Sequence, residues 1–547
     1  MIHRIRGLVM PVLVLLALAF CWLSGRWQPA QWGLALTAPL VALGIYDLLQ
    51  RRHNILRNYP VLGHLRFLLE DVGPELRQYV VENNTEGRPF NRDSRSLMYQ
   101  RSKGILDKKP FGTELDVYQE GHGWITHSLA PREPVADPGE SLRLRFGGPD
   151  CTQPYSASIF NISAMSFGAI SGHGIRALNV GAKMGNFAHN TGEGGISRYH
   201  REGGDLIWQV GTGYFGCRRD DGGFDPDRFR EQAASAQVKM IELKLSQGAK
   251  PGHGGILPAP KVSAEIAAAR GIPAGRECVS PPAHSEFSTP IGLLEFVARL
   301  RELASGKPVG VKLAIGDPLE FMCVCRAMLE TDITPDFITV DGGEGGTGAG
   351  PIELSDHMGM PVKEAVVLVN NALVSVNLRD RVRIVASAKL VTGFEMATAI
   401  ALGADAINSA RGFMFALGCI QAQRCHTNRC PVGVATQDAW LQRALVVDVK
   451  ARRVKNFHHE TVEALAEVVG AAGAEHPSEL TPRNIYRRVS PWEIRPVSEL
   501  YPSVEPGELL GPTGGGFLRP YWDRADAREF RGHPGGPSSR APDPGSG

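Results

Sequence analysis

The sequence is poor in charge of either sign in excess. Its 59 Lys and Arg against 57 Asp and Glu leave a net charge of +2 over 547 residues. A chain so balanced carries no polyelectrolyte footprint, which excludes nucleic acid as the expected partner. It also lacks a disulfide framework: the nine cysteines follow no regular spacing over this length, which argues against a stapled secreted protein and for a reducing compartment. No G-x-G-x-x-G run follows the first strand-like segment, so the dinucleotide-binding open sheet loses its fingerprint. With 43% hydrophobic residues, the chain can still bury a large core.

What is present begins with two apolar runs, Gly7 to Ser24 and Trp32 to Leu49. Each has about the minimum length for a membrane-crossing helix. Arg4 and Arg6 precede the first and Arg51, Arg52 and Arg57 follow the second, whereas the joining loop has only Arg26, with Trp22, Trp27 and Trp32 around it. The charge bias predicts a two-helix hairpin over residues 1–50 with both ends, and the catalytic part, on the cytoplasmic side of the inner membrane. No small-x-small cleavage site follows Leu23 and a second span returns the chain, which sets a signal peptide aside. Residues 51–150 read as a linker and collar with a helix over Glu75 to Glu82; Arg88 to Ser96 (RPFNRDSRS) reads as a solvated basic loop.

From about residue 157, short β-branched runs alternate with alanine-rich helical stretches. Eight strands are predicted: Ala157–Ser163, Asn186–His189, Leu206–Val210, Met240–Leu245, Val309–Ile315, Phe337–Val340, Arg383–Ser387 and Asp405–Ser409. Helices over Gly172–Met184, Ser263–Arg270, Leu293–Ala304, Phe321–Glu330, Val362–Asn377 and Gly393–Leu402 fall between most of them. The pattern predicts an α/β fold, a (β/α)8 TIM barrel over residues 151–440, with chemistry on the loops after the strands. The loop Asp341-Gly-Gly-Glu-Gly-Gly-Thr-Gly-Ala-Gly-Pro351 follows the sixth strand; Ser387-Ala-Lys389 and Ser409-Ala-Arg411-Gly412 follow the seventh and eighth. Small residues with backbone amides and two basic side chains suit the phosphate of an anionic cofactor. The run from 441 to 522 reads as a helical C-terminal segment and 523–547, rich in Pro, Gly and Ser, as a disordered tail.

The densest chemistry lies between Gly418 and Gln437, GCIQAQRCHTNRCPVGVATQ. Cys419, Cys425 and Cys430 are spaced C-x5-C-x4-C, and three neighbouring thiolates call for a soft cation, zinc or iron–sulfur. Zinc would need a fourth ligand, for which only His426 is at hand. Buried thiols without a metal are the third reading.

This run resembles the three-iron cluster loop of the FMN domain of glutamate synthases. So do Ala164-Met-Ser-Phe-Gly168, Asn190-Thr-Gly-Glu-Gly-Gly195, Ser246-Gln-Gly-Ala-Lys-Pro-Gly252, Ser280-Pro-Pro-Ala-His284 and Glu344-Gly-Gly-Thr-Gly-Ala349, in the family's order across roughly residues 155–440. The resemblance implies a [3Fe-4S] cluster on Cys419, Cys425 and Cys430. It implies FMN at the rim, with Met165, Ser166, Asn190, Gln209, Lys312, Gly343, Gly345, Gly346, Thr347, Ser387, Lys389, Ser409 and Arg411 as contacts. Gln247 and Lys250 match the 2-oxoglutarate contacts, and Glu193 is the candidate for holding an ammonium or iminium or relaying a proton.

The implied activity is reductive amination of 2-oxoglutarate or a related 2-oxo acid. With no glutaminase segment and no second dinucleotide domain, ammonia or an amine and an external donor protein or reductase subunit are the expected sources of nitrogen and electrons. A homo-oligomer is left open. Where the family has Lys-Gln-Val and Ser-Gly-Arg-Phe-Gly, this chain has Trp208-Gln-Val and Thr212-Gly-Tyr214-Phe-Gly, an expected loss of two basic residues on the substrate side. A membrane-docked electron-transfer protein without amination activity is the rival reading.

Overall fold

The computed structural model describes residues 2–533 and divides into two compact units, Met1–Arg92 and Asp93 onward. In the first, two apolar helices, Ile2–Ser24 and Pro29–Leu49, lie against each other, with Gly33 under the Phe20 ring and Gly44 under Met10. Pro29–Leu49 is long and apolar enough to cross a membrane, and only 17% of its most apolar window is buried; Leu8–Ser24 is a shorter apolar helix. A helix over Leu62–Leu76 runs on into a wider turn, Arg77–Val81. The helix expected from Glu75 therefore starts more than a dozen residues earlier, because leucines at helical spacing carry the pattern back to Leu62.

The second unit is built on eight parallel strands that close in chain order. We number them β1 (Phe160–Ile162), β2 (His189–Asn190), β3 (Leu206–Val210), β4 (Val238–Lys244), β5 (Val309–Leu313), β6 (Phe337–Asp341), β7 (Arg383–Ser387) and β8 (Ala406–Ser409). The ring closes through Ile407 against Phe160 and Asn408 against Asn161. The first predicted strand proves to be two. Tyr155–Ser158 pairs antiparallel with Arg143–Phe146, and the chain breaks at Ile159 before entering β1. The second predicted strand moves to His189–Asn190, because Asn186 takes the left-handed conformation that ends the preceding helix.

The Arg143–Phe146 hairpin forms the barrel's floor. Phe146 meets Phe337 edge-on at 5.6 Å, and Ala157, Ala188, Ile207, Met240, Val385 and Ala406 complete an apolar layer. Above it, alternate residues point inward with period two, and the chemistry changes from apolar to polar. Only the C-terminal end is left for ligands. The helices returning from that end start on built caps: Ser171 accepts from the Gly174 amide, Thr289 precedes Pro290, Asp317 precedes Pro318, and Thr392 and Glu395 cap reciprocally. A side-chain acceptor at the cap with proline in the first turn satisfies orphan amides and fixes where each helix begins.

Outside the barrel, Gly172–Gly185 packs against the long helix Val447–Ala471. A Cβ at Gly181 would lie 2.6 Å from Val454. Gly181→Leu should therefore force the two helices apart and lower stability by about 1–3 kcal/mol, read as a fall in Tm.

Three terminal expectations need correction. Arg92–Lys103 is a helix with Arg95 buried, not a solvated loop. The segment 441–522 is helical only in part, since Ile485–Ser490 and Glu493–Pro496 are strands paired with Gly123–Ile125. The expected disordered tail starts with packed chain: Ala527 is buried, its carbonyl accepts from Ile291, and Asp526 N–H donates to Cys323 Sγ. Residues 534–547 lie outside the described residues.

Candidate functional site

Halfway up the barrel stands Glu242 of β4, fully buried. Its carboxylate accepts from Asn190 Nδ2 at 2.7 Å, Gln209 Nε2 at 2.6 Å and Thr339 Oγ1 at 2.7 Å. Asn190 spends its other end on the Gly192 amide at 3.0 Å. A buried carboxylate so fully hydrogen-bonded ties β2, β3, β4 and β6 together, and fixes the loop that follows β2. Asn190 and the Gln209 amide nitrogen thus support the rim.

One inward step higher on β4 is Lys244. Its Nζ lies 3.0 Å from Glu193 Oε1 and donates to Gln247 Oε1 at 2.8 Å. Burial pushes the Glu193 carboxyl up, but Lys244, with Arg270 and Lys250 behind it, overcomes this and holds it below its ordinary range. Lys250 is only 2% exposed, and among the described residues its ammonium has no hydrogen-bond acceptor. Burial, aided by the Lys244 charge and opposed by Glu193, brings its pKa down to about 8. A buried ammonium without an acceptor is costly unless a ligand supplies one. His284 closes the same wall, with Nε2 2.8 Å from the Lys244 carbonyl and Nδ1 3.0 Å from Tyr214 Oη; burial lowers its pKa to about 4, so the ring is neutral.

Across the mouth, Lys312 of β5 lies 3.4 Å from Asp341, whose carboxylate also accepts from the Gly248 amide at 2.9 Å. Gly248 passes so near the Gly342 carbonyl that any side chain would collide with it. This contact binds the loop carrying Gln247 and Lys250 to the glycine-rich loop carrying Gly343, Gly345, Gly346 and Thr347. Arg411 donates to the Glu344 carbonyl at 3.2 Å, and its guanidinium fills the space where a Cβ on Gly346 would stand, 2.8 Å away. Burial lowers the Arg411 pKa to about 10, with Asp341 and Glu344 opposing, so it stays charged at neutral pH. Ser387 Oγ at the end of β7 and Ser163 Oγ just after β1 are 3.1 Å apart, across the end of β8. Lys389 is half-buried beyond them, Met165 is buried, and Ser166 accepts from Arg270 at 3.4 Å.

Two expectations change. Ser409 turns its hydroxyl under Gly412, buried and, among the described residues, without a hydrogen-bond partner, and alternation leaves Asn408 inward instead. Trp208 faces the outer layer, stacked on Phe229 at 4.9 Å. A basic residue at 208 would not line this mouth, so its absence removes no charge from the substrate side. Tyr214 does reach the site wall, through His284.

The cysteine loop follows β8 and is sewn to the same rim. Gln437 Nε2 donates to the Gly168 and Ile170 carbonyls at 3.1 and 3.2 Å, and Asn428 Nδ2 to Pro260 at 3.0 Å. Cys419, Cys425 and Cys430 feel one another's charge. Burial raises the Cys419 thiol to about 12 and raises Cys425 too, with Cys430 adding to it and Lys261 opposing. Lys261, buried, donates to the Ala169 carbonyl at 2.7 Å and the Cys425 carbonyl at 3.2 Å. Among the described residues, no group of three or more His, Cys, Asp or Glu converges tightly enough for one metal ion.

Residues 152–475 match the family model described as the conserved region in glutamate synthase. The chain is 38% identical over 484 residues to the glutamate synthase large subunit-like protein YerD of Bacillus subtilis, covering 81% of this chain and 91% of that one. It is 36% identical over 314 residues to the archaeal glutamate synthase [NADPH] of Methanocaldococcus jannaschii, spanning 57% of this chain and 58% of that relative. A solved mandelate oxidase with (S)-4-hydroxymandelic acid is a more distant likeness, at 16% identity and a TM-score of 0.42 over 72% of this chain and 99% of that one.

Proposed function

The chain belongs to the glutamate synthase family, oxidoreductases acting on CH–NH2 donors, and from that premise we propose that it aminates 2-oxoglutarate or a related 2-oxo acid reductively. Ammonia or an amine supplies nitrogen and an external donor supplies electrons. The observation that carries the reading is Lys250, a buried lysine whose ammonium has no acceptor among the described residues, within reach of the Glu193 and Lys244 charges at the barrel mouth. Pure electron transfer needs no such pocket.

The residues present suit both cofactors. Gly343, Gly345, Gly346 and Arg411 would hold the phosphate of FMN, with Ser387 and Lys389 beside it and Lys312 nearer the ring. Arg411 already fills the hollow of Gly346, and a lone phosphate matches one guanidinium with a run of amides. Cys419, Cys425 and Cys430 supply three thiolates without a fourth. Three cysteines on one loop, near enough to feel one another's charge, are the donor set that a [3Fe-4S] cluster would take, whereas zinc would need a fourth ligand. When bound, the flavin takes electrons singly and delivers them in pairs.

Overall, oxo acid, ammonia, two electrons and two protons give amino acid and water. Lys250 and Gln247 hold substrate carboxylate, and Lys244 keeps Glu193 ionised. Glu193 then orients the incoming ammonia, accepts the proton that its nitrogen releases once bonded to C2, and steadies the iminium by charge. Neutral His284 holds the Lys244 backbone in place.

The apolar pair Ile2–Ser24 and Pro29–Leu49 supports anchoring in the inner membrane, with arginines at the cytoplasmic ends. Exposed Trp22, Trp27 and Trp32 gather at the turn, where Arg26 lies 4.5 Å over the Trp22 ring, as in an interfacial belt.

Anaerobic reoxidation of the reduced protein by 2-oxoglutarate with ammonia, followed at the flavin band, tests the activity, and acid extraction tests the cofactor. Ammonia-dependent reoxidation and released FMN are expected. Reoxidation by dyes alone would establish the membrane-docked electron-transfer reading instead, and recovered FAD would overturn the phosphate-loop assignment.

A further inference from the structure

Between the apolar helices and residue 82, the helix Leu62–Leu76 carries Leu62, Leu65, Leu68, Leu69, Val72 and Leu76. At 3.6 residues per turn these six fall within an arc of about 120°. All are exposed, from 39% at Val72 to 58% at Leu68. The helix has another face for its packing: Gly63 sits against Leu56 and Ile55, and Phe67 meets His53 edge-on at 5.7 Å. Arg66 and Glu70 pair at 2.6 Å on the polar side. A continuous leucine stripe turned away from its own unit is unusual for a surface in water.

The start of this helix is fixed to the end of the second apolar helix. Buried Asp47 accepts from the Val61 amide at 2.9 Å and lies 2.9 Å from His64 Nε2. Exposed Arg51 and Arg52 in the turn, and Arg57 on the short helix Asn54–Asn58, lie between the two. An apolar stripe that begins where a spanning helix leaves the bilayer, next to three arginines suited to anionic headgroups, has the pattern of an interfacial helix.

We propose that Leu62–Leu76 lies in the cytoplasmic membrane interface with its leucine stripe among the acyl chains, a second attachment that rests on the membrane reading of the hairpin. A flat helix following the spanning pair would hold the chain against the membrane surface at a second point.

The test uses the full chain in phosphatidylcholine–phosphatidylglycerol vesicles, with a fluorescent amino acid encoded singly at position 69, 70 or 16. Position 69 should be quenched by lipids carrying a nitroxide near the headgroup and shielded from aqueous iodide. Position 70, on the polar face, should show the reverse, and position 16 should be quenched by deep nitroxides. Leu65→Glu combined with Val72→Glu should move position 69 into the iodide-accessible class. Iodide quenching at 69 with deep quenching at 16 would overturn the proposal and leave the hairpin standing. No lipid quenching at 16 would overturn the membrane reading itself. Shielding of 69 from both quenchers would mean that protein, such as a second copy, covers the stripe, and would also overturn the proposal.

Discussion

Replacing Lys250 by alanine is expected to weaken 2-oxo acid binding by roughly ten- to a hundredfold and to leave flavin content unchanged. A charge-assisted hydrogen bond to a carboxylate contributes about 1.5–3 kcal/mol, and among the described residues the Lys250 ammonium has no other acceptor to lose. The pH dependence follows from the same burial. With its pKa brought down to about 8, the lysine carries charge below that pH and loses it above. kcat/KM for the oxo acid should therefore fall as pH rises through about 8, and Lys250→Arg should abolish that fall. Stability runs the other way. The folded pKa lies below the unfolded one, so the unfolded chain binds the extra proton between about 8 and 10.5. The penalty for burying this charge is fully present below pH 8 and vanishes towards 10.5. Lys250→Met, which keeps the stem and removes the charge, should accordingly raise Tm at neutral pH while losing binding. Titration of reduced protein with 2-oxoglutarate, alongside thermal melts, measures both. Equal loss of flavin would mean that Lys250 serves the cofactor.

Much of this site was legible because a barrel strand writes its two faces at period two. Met240, Glu242 and Lys244 alternate with Ile241 and Leu243. The inward face thus runs from floor to buried carboxylate to site ammonium, a signal present in the sequence but easily passed over beside the glycine loops. Gln247 and Lys250 stand in a run that resembles the family's substrate loop and are legible through that resemblance; Lys244, inside an apolar run, carries no such mark. Arg270 and Lys261 left no local signal. Each lies near the end of a short helix or turn, and only tertiary packing brings Arg270 towards Glu193 and Lys261 to the Cys425 carbonyl. Trp208 shows the converse error: a residue beside a functional glutamine in sequence points to the opposite side of the strand, so a substitution there reports on helix packing. The terminal segments were misread where amphipathic helices and short strands depend on partners distant in the chain, as Gly123–Ile125 does on Ile485–Ser490.

Cys425→Ser is expected to remove the cluster outright while the barrel keeps its FMN. The two cofactor sites share a rim but not their ligands. The phosphate side rests on the glycine loop and Arg411, held by Glu344 and Asp341, whereas the thiolates lie on the loop after β8. That loop has its own ties, Gln437 to the Gly168 and Ile170 carbonyls and Asn428 to Pro260, none of which uses a cysteine side chain. It should therefore keep its place when one ligand is lost, and Lys261 still donates to the residue 425 carbonyl after the change to serine. The proposed cluster has no such reserve. Its three thiolates would serve three irons, and among the described residues the other close pair, Cys323 and Cys325, is buried in the helix Pro318–Thr331 between β5 and β6. Iron should fall to background, and the low-temperature EPR signal of the oxidised protein should vanish. Because the cluster connects the donor to the flavin in the proposed route, dithionite should still bleach the variant's flavin band while the external donor no longer does. Zinc in place of iron in the parent protein, a four-iron signal from anaerobic preparations, or undiminished iron in the variant would each remove Cys419, Cys425 and Cys430 as the ligands of a three-iron centre.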